Sequence, residues 1–104
     1  MSARPTEEDF RRHVGTKFRV RVETPSPLEL ELREVKSYNP QGSEQSEMER
    51  FSLYFLGPGE VMLNQGTFAF EHPEMGELLL FTVPVGRDER GFQYEVIFNY
   101  YKNK

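Results

Sequence analysis

The chain lacks cysteine altogether, and this absence excludes several kinds of site. Without a thiol there is no disulfide framework, no zinc thiolate centre and no cysteine nucleophile. Only two histidines are present, His13 and His72, and their wide separation in the chain argues against a metal centre. No apolar run reaches membrane-spanning length, and the N-terminal segment has no apolar signal region. We therefore expect a cytoplasmic protein that uses no membrane, metal or cofactor.

Positive charge is also scarce. The chain has 13 Lys and Arg against 17 Asp and Glu, a net charge of −4, whereas binding to phosphates needs a basic surface. The one basic cluster comprises Arg11, Arg12, Lys17, Arg19 and Arg21. Together with Phe18 it could form a nucleic-acid stripe, but Phe18 alternates inward, and Glu29 and Glu31 can neutralise the arginines. We expect a solvated, paired surface and no nucleic-acid partner.

Apolar residues are few, but they are strongly patterned. With 37% hydrophobic and 29% charged residues, composition alone would allow disorder. However, the 9 Phe and 5 Tyr fall almost entirely in alternating stretches, and these large side chains supply a core. The length of 104 residues predicts one domain, residues 1–104.

Local patterns predict one helix followed by strands. A helix over residues 5–14 would begin at the N-cap Thr6, place Phe10 and Val14 on one face, and end at Gly15. Alternation of apolar and polar residues predicts strands at about 17–23, 28–38, 51–56, 66–72, 77–85 and 92–101. Residues 39–50 contain one apolar residue and are predicted to form a mobile loop.

The first two strands should form a hairpin, because turn-forming residues 24–27 lie between them. If their inward residues face one another, Val22 lies near Leu28, Val20 near Leu30, and Phe18 near Leu32. The same register sets Arg21 beside Glu29 and Arg19 beside Glu31 on the outer face.

These elements predict an all-β fold with one short N-terminal helix. Short turns favour a six-stranded antiparallel meander that forms either a small barrel or a two-sheet sandwich. A parallel sheet is not expected, because the chain has no crossover helices.

The second half of the chain carries a combination of short motifs: Gly57-Pro58, Leu63-x-Gln65-Gly66-Thr67-Phe68, Glu71-His72-Pro73-x-Met75-Gly76, Leu80-Phe81-x-Val83-Pro84-Val85-Gly86 and Tyr94-Glu95 to Phe98-Asn99. In this combination the chain resembles a family of small bacterial domains of unknown function. The resemblance runs from about Phe10 to Asn99. It implies a bacterial source and a compact single domain, and it brings no assigned activity or catalytic residue.

Gln65, Thr67 and His72 form the candidate polar site. His72 could act as a general base with a carboxylate nearby, or it could be a strand-end histidine bonded to turn backbone. Likewise, Gln65-Gly66-Thr67 could form a backbone anion nest, or Gly66 could mark a bulge or a close backbone approach. We predict structural roles and keep a small-ligand-binding or hydrolytic domain as the alternative.

The last two predicted strands have apolar residues on both faces. Leu78 and Leu80 can line one face of the fifth strand, which leaves Leu79, Phe81, Val83 and Val85 on the other; Ile97 and Tyr101 are the corresponding residues of the sixth. A half-exposed antiparallel strand should carry polar residues there. We predict a second apolar face, covered by the helix and by a protein partner or another copy. The predicted function is therefore a non-enzymatic interaction or assembly module that binds through Leu79, Phe81, Val83, Ile97 and Tyr101.

Overall fold

Six antiparallel strands and one short helix build the domain, which confirms the predicted fold class. The computed structural model describes residues 5–23, 28–38 and 48–101, with residues 48, 49, 100 and 101 described by their backbone alone. The elements are α1 (Glu7–Arg11), β1 (Lys17–Val20), β2 (Leu28–Ser37), β3 (Met48–Gly57), β4 (Gly66–His72), β5 (Gly76–Asp88) and β6 (Gly91–Tyr101). No helix in these ranges has the length and apolarity that crossing a bilayer would take.

The strands close into a barrel in the order β1-β2-β3-β6-β5-β4. Two three-stranded meanders, β1-β2-β3 and β4-β5-β6, are joined along a long β3–β6 ladder and a short β1–β4 ladder. The short ladder pairs only Arg19 with Glu71 and Val20 with Phe70. Of the two architectures expected from the sequence, the barrel is therefore the one observed.

Aromatic side chains fill the barrel. The ring of Phe18 lies 5.4 Å from that of Phe55 and 6.5 Å from that of Phe70, and Phe55 and Phe70 are 5.2 Å apart. All three side chains are buried, as are the aliphatic residues that alternate with the outward positions of β1, β2 and β3. Truncating a buried Phe of this kind to Ala typically costs about 3–5 kcal/mol, so these contacts dominate the stability of the fold.

Each end of the barrel is closed by a segment outside the sheet. Phe10 of α1 is fully buried against Phe51 and Phe98, at ring distances of 6.0 and 5.4 Å. At the other end, in the β3–β4 connection, Leu63 is buried and its N–H donates to the hydroxyl of Tyr94 at 2.9 Å. These contacts leave the outer faces of the strands free of the helix.

The helix is shorter than predicted, because it covers an end of the barrel and not a sheet face. It begins at Thr6, whose side chain accepts from the N–H of Asp9 while the Asp9 carboxylate accepts from the N–H of Thr6. After Arg11 the chain turns. Gly15, at a positive φ of 94°, donates its N–H to the carbonyl of Leu32. Val14 therefore does not share a buried face with Phe10 and is 43% exposed. The expectation that α1 covers the second apolar face is wrong.

The predicted register of the first hairpin is wrong by two residues, although the inward and outward faces are right. Val20 pairs with Leu28, Phe18 with Leu30, and Arg19 with Glu29. A shift of two preserves every face, so alternation alone could not fix it. The shift arises because β1 ends at Val20, and the N–H of Arg21 then bonds to the carbonyl of Ala69 in β4. The turn expected at residues 24–27 lies outside the described residues.

Two predicted loops are shorter than expected because strand pairing continues into polar sequence. Of the loop placed at 39–50, Met48 to Arg50 belong to β3 and pair with the end of β6; residues 39–47 lie outside the described residues. The connection left at residues 86–91, between the predicted strands 77–85 and 92–101, shrinks to a two-residue turn between Asp88 and Gly91. There the N–H of Arg90 donates to the Asp88 carboxylate at 2.9 Å.

The start of β6 requires a glycine. Gly91 has φ 143°, and a Cβ at this position would lie 1.9 Å from the carbonyl oxygen of Gly57. We predict that Gly91→Ala lowers the free energy of unfolding by about 3 kcal/mol or more, through backbone strain and the clash. Gly59→Ala is the matched control, since its Cβ would meet only the Cα of Gly91 at 3.7 Å. Urea unfolding measures both variants, and equal stabilities would contradict the prediction.

Candidate functional site

The outer face of β5 and β6 exposes large apolar side chains. Leu79 is 74% exposed, Phe81 51% and Ile97 63%, while Leu80, next to Leu79 in β5, faces the interior at 4%. Val83 is half-buried. We call Leu79, Phe81, Val83 and Ile97 the outer apolar patch. The side chain of Tyr101, the remaining predicted member, lies outside the described part of the structure.

Strand pairing places the patch on β5 and β6, between β4 and β3. Phe81 pairs with Thr67 of β4, and Ile97 pairs with Ser52 of β3. Val83 pairs with Glu95, so Phe81 and Ile97 are the next outward residues along β5 and β6. The patch therefore extends across two neighbouring strands, bordered by the outward residues of β4 and β3.

A hydrogen-bonded polar cluster borders the patch on the β3 side. The hydroxyls of Ser52 and Tyr54 both donate to one carboxylate oxygen of Glu95, at 2.7 and 3.1 Å. The Tyr38 hydroxyl donates to Ser52 at 3.0 Å and lies 3.5 Å from that of Tyr54. Although Ser52 is on the outer face, these neighbours bury it completely. The Tyr38 hydrogen bond, followed by burial and the Glu95 carboxylate, raises the pKa of Tyr54 far above its usual range.

Sequence reasoning missed this cluster. Ser52 and Tyr54 stand at the polar positions of a predicted strand, which on their own indicate only a solvated face. Their partner Glu95 is about 40 residues away in the chain and becomes visible only through the β3–β6 register, in which Tyr54 lies opposite Glu95. The hydroxyl side chains of Tyr38, Ser52 and Tyr54 were visible in the sequence. The strand register that brings them to Glu95 was not.

His72 lies at the β4–β5 turn and is hydrogen-bonded to it. Its Nδ1 accepts from the backbone N–H groups of Glu74 and Met75, at 3.1 and 3.3 Å. Its Nε2 lies 3.0 Å from the hydroxyl oxygen of Thr16, and that hydroxyl donates to the carbonyl of His13. The ring therefore donates from Nε2, and both nitrogens are engaged by the protein. Burial, and then the charge of His13, lower the pKa of His72.

His13 is brought next to His72, with ring centroids 4.7 Å apart. Its Nδ1 lies 2.8 Å from the carbonyl oxygen of Asp9, and its Nε2 lies 2.9 Å from the carboxylate of Glu74. The Asp9 carbonyl, followed by Glu74, raises the pKa of His13. Separation in the chain was thus a wrong reason to doubt a metal centre. Even so, residues 5–23, 28–38 and 48–101 contain no group of three or more potential metal ligands.

The three residues of the candidate polar site do not form one site. Gln65 and Thr67 are exposed near the start of β4, whereas His72 is buried at its end. Thr67 and His72 are five positions apart along an extended strand, so their Cα atoms are separated by roughly 17 Å. Thr67 lies on the outer face opposite Phe81, so it borders the outer apolar patch instead.

Three of the four arginines in the basic cluster form ion pairs with acidic side chains, although not all with the expected partners, and the fourth, Arg19, lies opposite Glu29 and Glu71 in the sheet. Arg12 bonds to Asp9 at 2.6 Å, and Arg11 bonds to Glu7 at 2.7 Å. Arg21 bonds to Glu71 and, at 3.1 Å, to Glu77, instead of to Glu29. These pairs leave no stripe of unpaired arginines along this part of the described surface.

Comparison with known proteins identifies a family whose function is unknown. The family model described as a domain of unknown function (DUF6916) matches residues 5–98. No curated protein and no solved structure matches the chain.

The two histidines should give the stability opposite dependences on pH. The raised pKa of His13 stabilises the fold fully below about pH 6.5, the unfolded value, and this contribution is lost as the pH rises through the folded pKa. The lowered pKa of His72 stabilises the fold above about pH 6.5, and its contribution is lost as the pH falls through the folded pKa.

We therefore expect His13→Gln to be most destabilising near pH 5 and His72→Gln to be most destabilising near pH 8. Urea unfolding of both variants and the wild type at these two values measures the differences. If the loss of stability varied with pH in the same way for both variants, the opposite pKa shifts of His13 and His72 would be contradicted.

Proposed function

Because the chain belongs to this family of domains of unknown function, we propose a role from its own surface: it is a non-enzymatic protein-interaction or assembly module. The docking surface is the outer apolar patch together with the polar cluster beside it. The module acts by presenting this face of the barrel to another protein.

The exposure of Leu79, Phe81 and Ile97 is the observation that supports this proposal. Scattered single apolar residues are common on protein surfaces, but these three occupy outward positions on neighbouring strands. Outward positions of an antiparallel sheet that faces water are normally polar. A contiguous apolar patch surrounded by polar residues is typical of a surface that another protein covers.

The polar cluster suits the border of such a surface. Tyrosine is enriched in protein interfaces, because its ring buries apolar area and its hydroxyl can still bond. Tyr38 is 41% exposed and Tyr54 is half-buried, so both rings retain surface that a partner could cover. Their hydroxyls are already held by Ser52 and Glu95, which lowers the entropy lost when a partner binds.

The histidine geometry favours a binding module over a hydrolytic domain. A general base needs a free nitrogen within reach of the substrate proton. In His72 one nitrogen accepts two backbone N–H groups and the other bonds to Thr16. His13 engages a carbonyl and a carboxylate. The interactions of both side chains instead fix the segment after α1 to the β4–β5 turn.

A lysine in the patch should weaken association while the fold persists. We expect Ile97→Lys and Phe81→Lys each to weaken association by at least about tenfold, because an interface core tolerates a buried, unpaired charge poorly. Light scattering measures self-assembly. For a different partner, co-purification from the native host and mass spectrometry identify the protein, and its binding to each variant is then measured after reconstitution. Both substitutions replace exposed side chains, so circular dichroism should be unchanged.

Met62→Lys is the matched control. Met62 is 49% exposed, close to the 51% of Phe81, but it lies in the β3–β4 connection and not on the sheet face. Association should survive this change. If Ile97→Lys and Phe81→Lys associate as strongly as Met62→Lys does, the patch is not the docking surface and the proposal is wrong.

A further inference from the structure

The two halves of β5 pair with different neighbours. The first half, Gly76–Thr82, pairs with β4 along its whole length. The second half, Val83–Asp88, pairs with Gly91–Glu95 of β6. Within the described ranges, Gly76–Thr82 is therefore paired as a strand on its β4 side alone. We call the other side of this segment the open edge.

The open edge presents backbone hydrogen-bonding groups. Successive residues of an antiparallel strand direct their N–H and C=O groups to alternate sides, so about half of the groups in Gly76–Thr82 face away from β4. Within this segment, the Leu80 carbonyl accepts from the Thr82 hydroxyl at 3.1 Å. By contrast, where the β1–β4 ladder ends, the N–H of Arg21 continues the pairing by donating to Ala69. An unpaired strand edge is a template for another strand.

We propose that the open edge of Gly76–Thr82 accepts an extended segment of a partner protein as an added strand. This inference rests on the proposed function and specifies how the partner binds. Backbone pairing along β5 supplies the affinity, and side chains at alternate positions supply the specificity. The outer apolar patch then covers the outward side chains of the added segment.

The side chains around the edge define the segment. Leu79 and Phe81 are two residues apart on the outer face, and Ile97 lies on the outer face of β6. Cross-strand pairs of apolar residues stabilise a sheet, so the segment needs apolar residues at every second position. A polar segment would leave the patch exposed and would gain only the backbone bonds.

Charge defines one end of the segment. Glu74 and Glu77 flank Gly76, and their side chains are 75% and 52% exposed. Two basic side chains contact these carboxylates: the Arg21 guanidinium is shared between Glu71 and Glu77, and His13 bonds to Glu74, so three carboxylates meet two basic groups. The corner therefore has an excess of negative charge among its described residues, and a lysine or arginine at the end of the segment beside Gly76 would complement it.

Amide hydrogen exchange of the free protein tests the edge. We expect the amides of Gly76–Thr82 to alternate, with those bonded to β4 protected and those at the open edge exchanging at least about tenfold faster. Nuclear magnetic resonance resolves them individually. Protection of every amide in the segment would show that β5 is paired on both sides, and the inference would fail.

A synthetic peptide tests the added strand. The probe has the length of Gly76–Thr82, with valine and threonine alternating and a lysine at each end. The controls are two versions of the same peptide with N-methyl groups on the amides of every second residue. One version carries them on the odd-numbered residues and the other on the even-numbered residues. Methylation removes backbone donors and leaves the side chains in place. We expect the unmodified peptide to protect the fast amides of Gly76–Thr82, and at least one methylated peptide to bind at least about tenfold more weakly.

The outcomes separate the inference from the proposed function. Equal binding of all the peptides, or no binding of the unmodified peptide, overturns the added strand while the variants at Phe81 and Ile97 still decide the docking surface. If the protein forms a concentration-dependent dimer that protects the same amides without peptide, a second copy of the chain occupies the edge. The assignment of the edge to a different partner protein is then wrong. If the variants retain association with the native partner but the peptide binds as expected, the proposed surface fails and the edge stands.

Discussion

The aromatic interior of the barrel determines the orientation of the strands that surround it. Phe18, Phe55 and Phe70 come from three different strands and contact one another at the centre. Because side chains alternate along a strand, placing one residue inside places its neighbours outside. A shift of β5 by one residue would bury Leu79 but expose Leu80, which now has 4% of its surface accessible. The apolar character of the outer face thus follows from the sequence of β5, and no alternative register removes it.

The number and approximate limits of the strands could be predicted from the sequence, because alternation is a local property. β4 matches its predicted range of 66–72. Register and strand ends could not be predicted, because they depend on partners that are distant in the chain. β1 pairs with β2 only as far as Val20, while the N–H of Arg21 bonds to Ala69 of β4, and no pattern near Arg21 encodes that bond. The role of Phe10 was likewise hidden, since its helical spacing to Val14 indicates a shared face and not the closure of a barrel end.

The same division between local and distant information applies to the candidate site. The exposed positions Leu79, Phe81 and Ile97 could be named from the sequence, because two apolar faces on one strand are visible in a short window. The polar cluster could not, because Ser52 and Glu95 meet only across the β3–β6 ladder. The chemistry of a histidine depends even more on its surroundings. His13 and His72 have opposite pKa shifts although their ring centroids are 4.7 Å apart. The Asp9 carbonyl and then Glu74 raise the pKa of His13, whereas burial and then the charge of His13 lower the pKa of His72.

The exchange of partners along β5 has a physical cause in its own sequence. Pro84 has no N–H to donate, and the β5–β6 register shifts between Pro84 and Gly86, where Val85 forms an irregularity. Bulges bend a strand and increase its local twist. The β5–β6 ladder extends only to Val83, one residue before Pro84, and within the described residues the strand from Thr82 back to Gly76 pairs with β4 alone. Closing a sheet into a barrel normally removes its edges. Here a proline and a bulge limit the pairing of β5 with β6 to the second half of β5. Leu79 and Phe81 face outward on the first half.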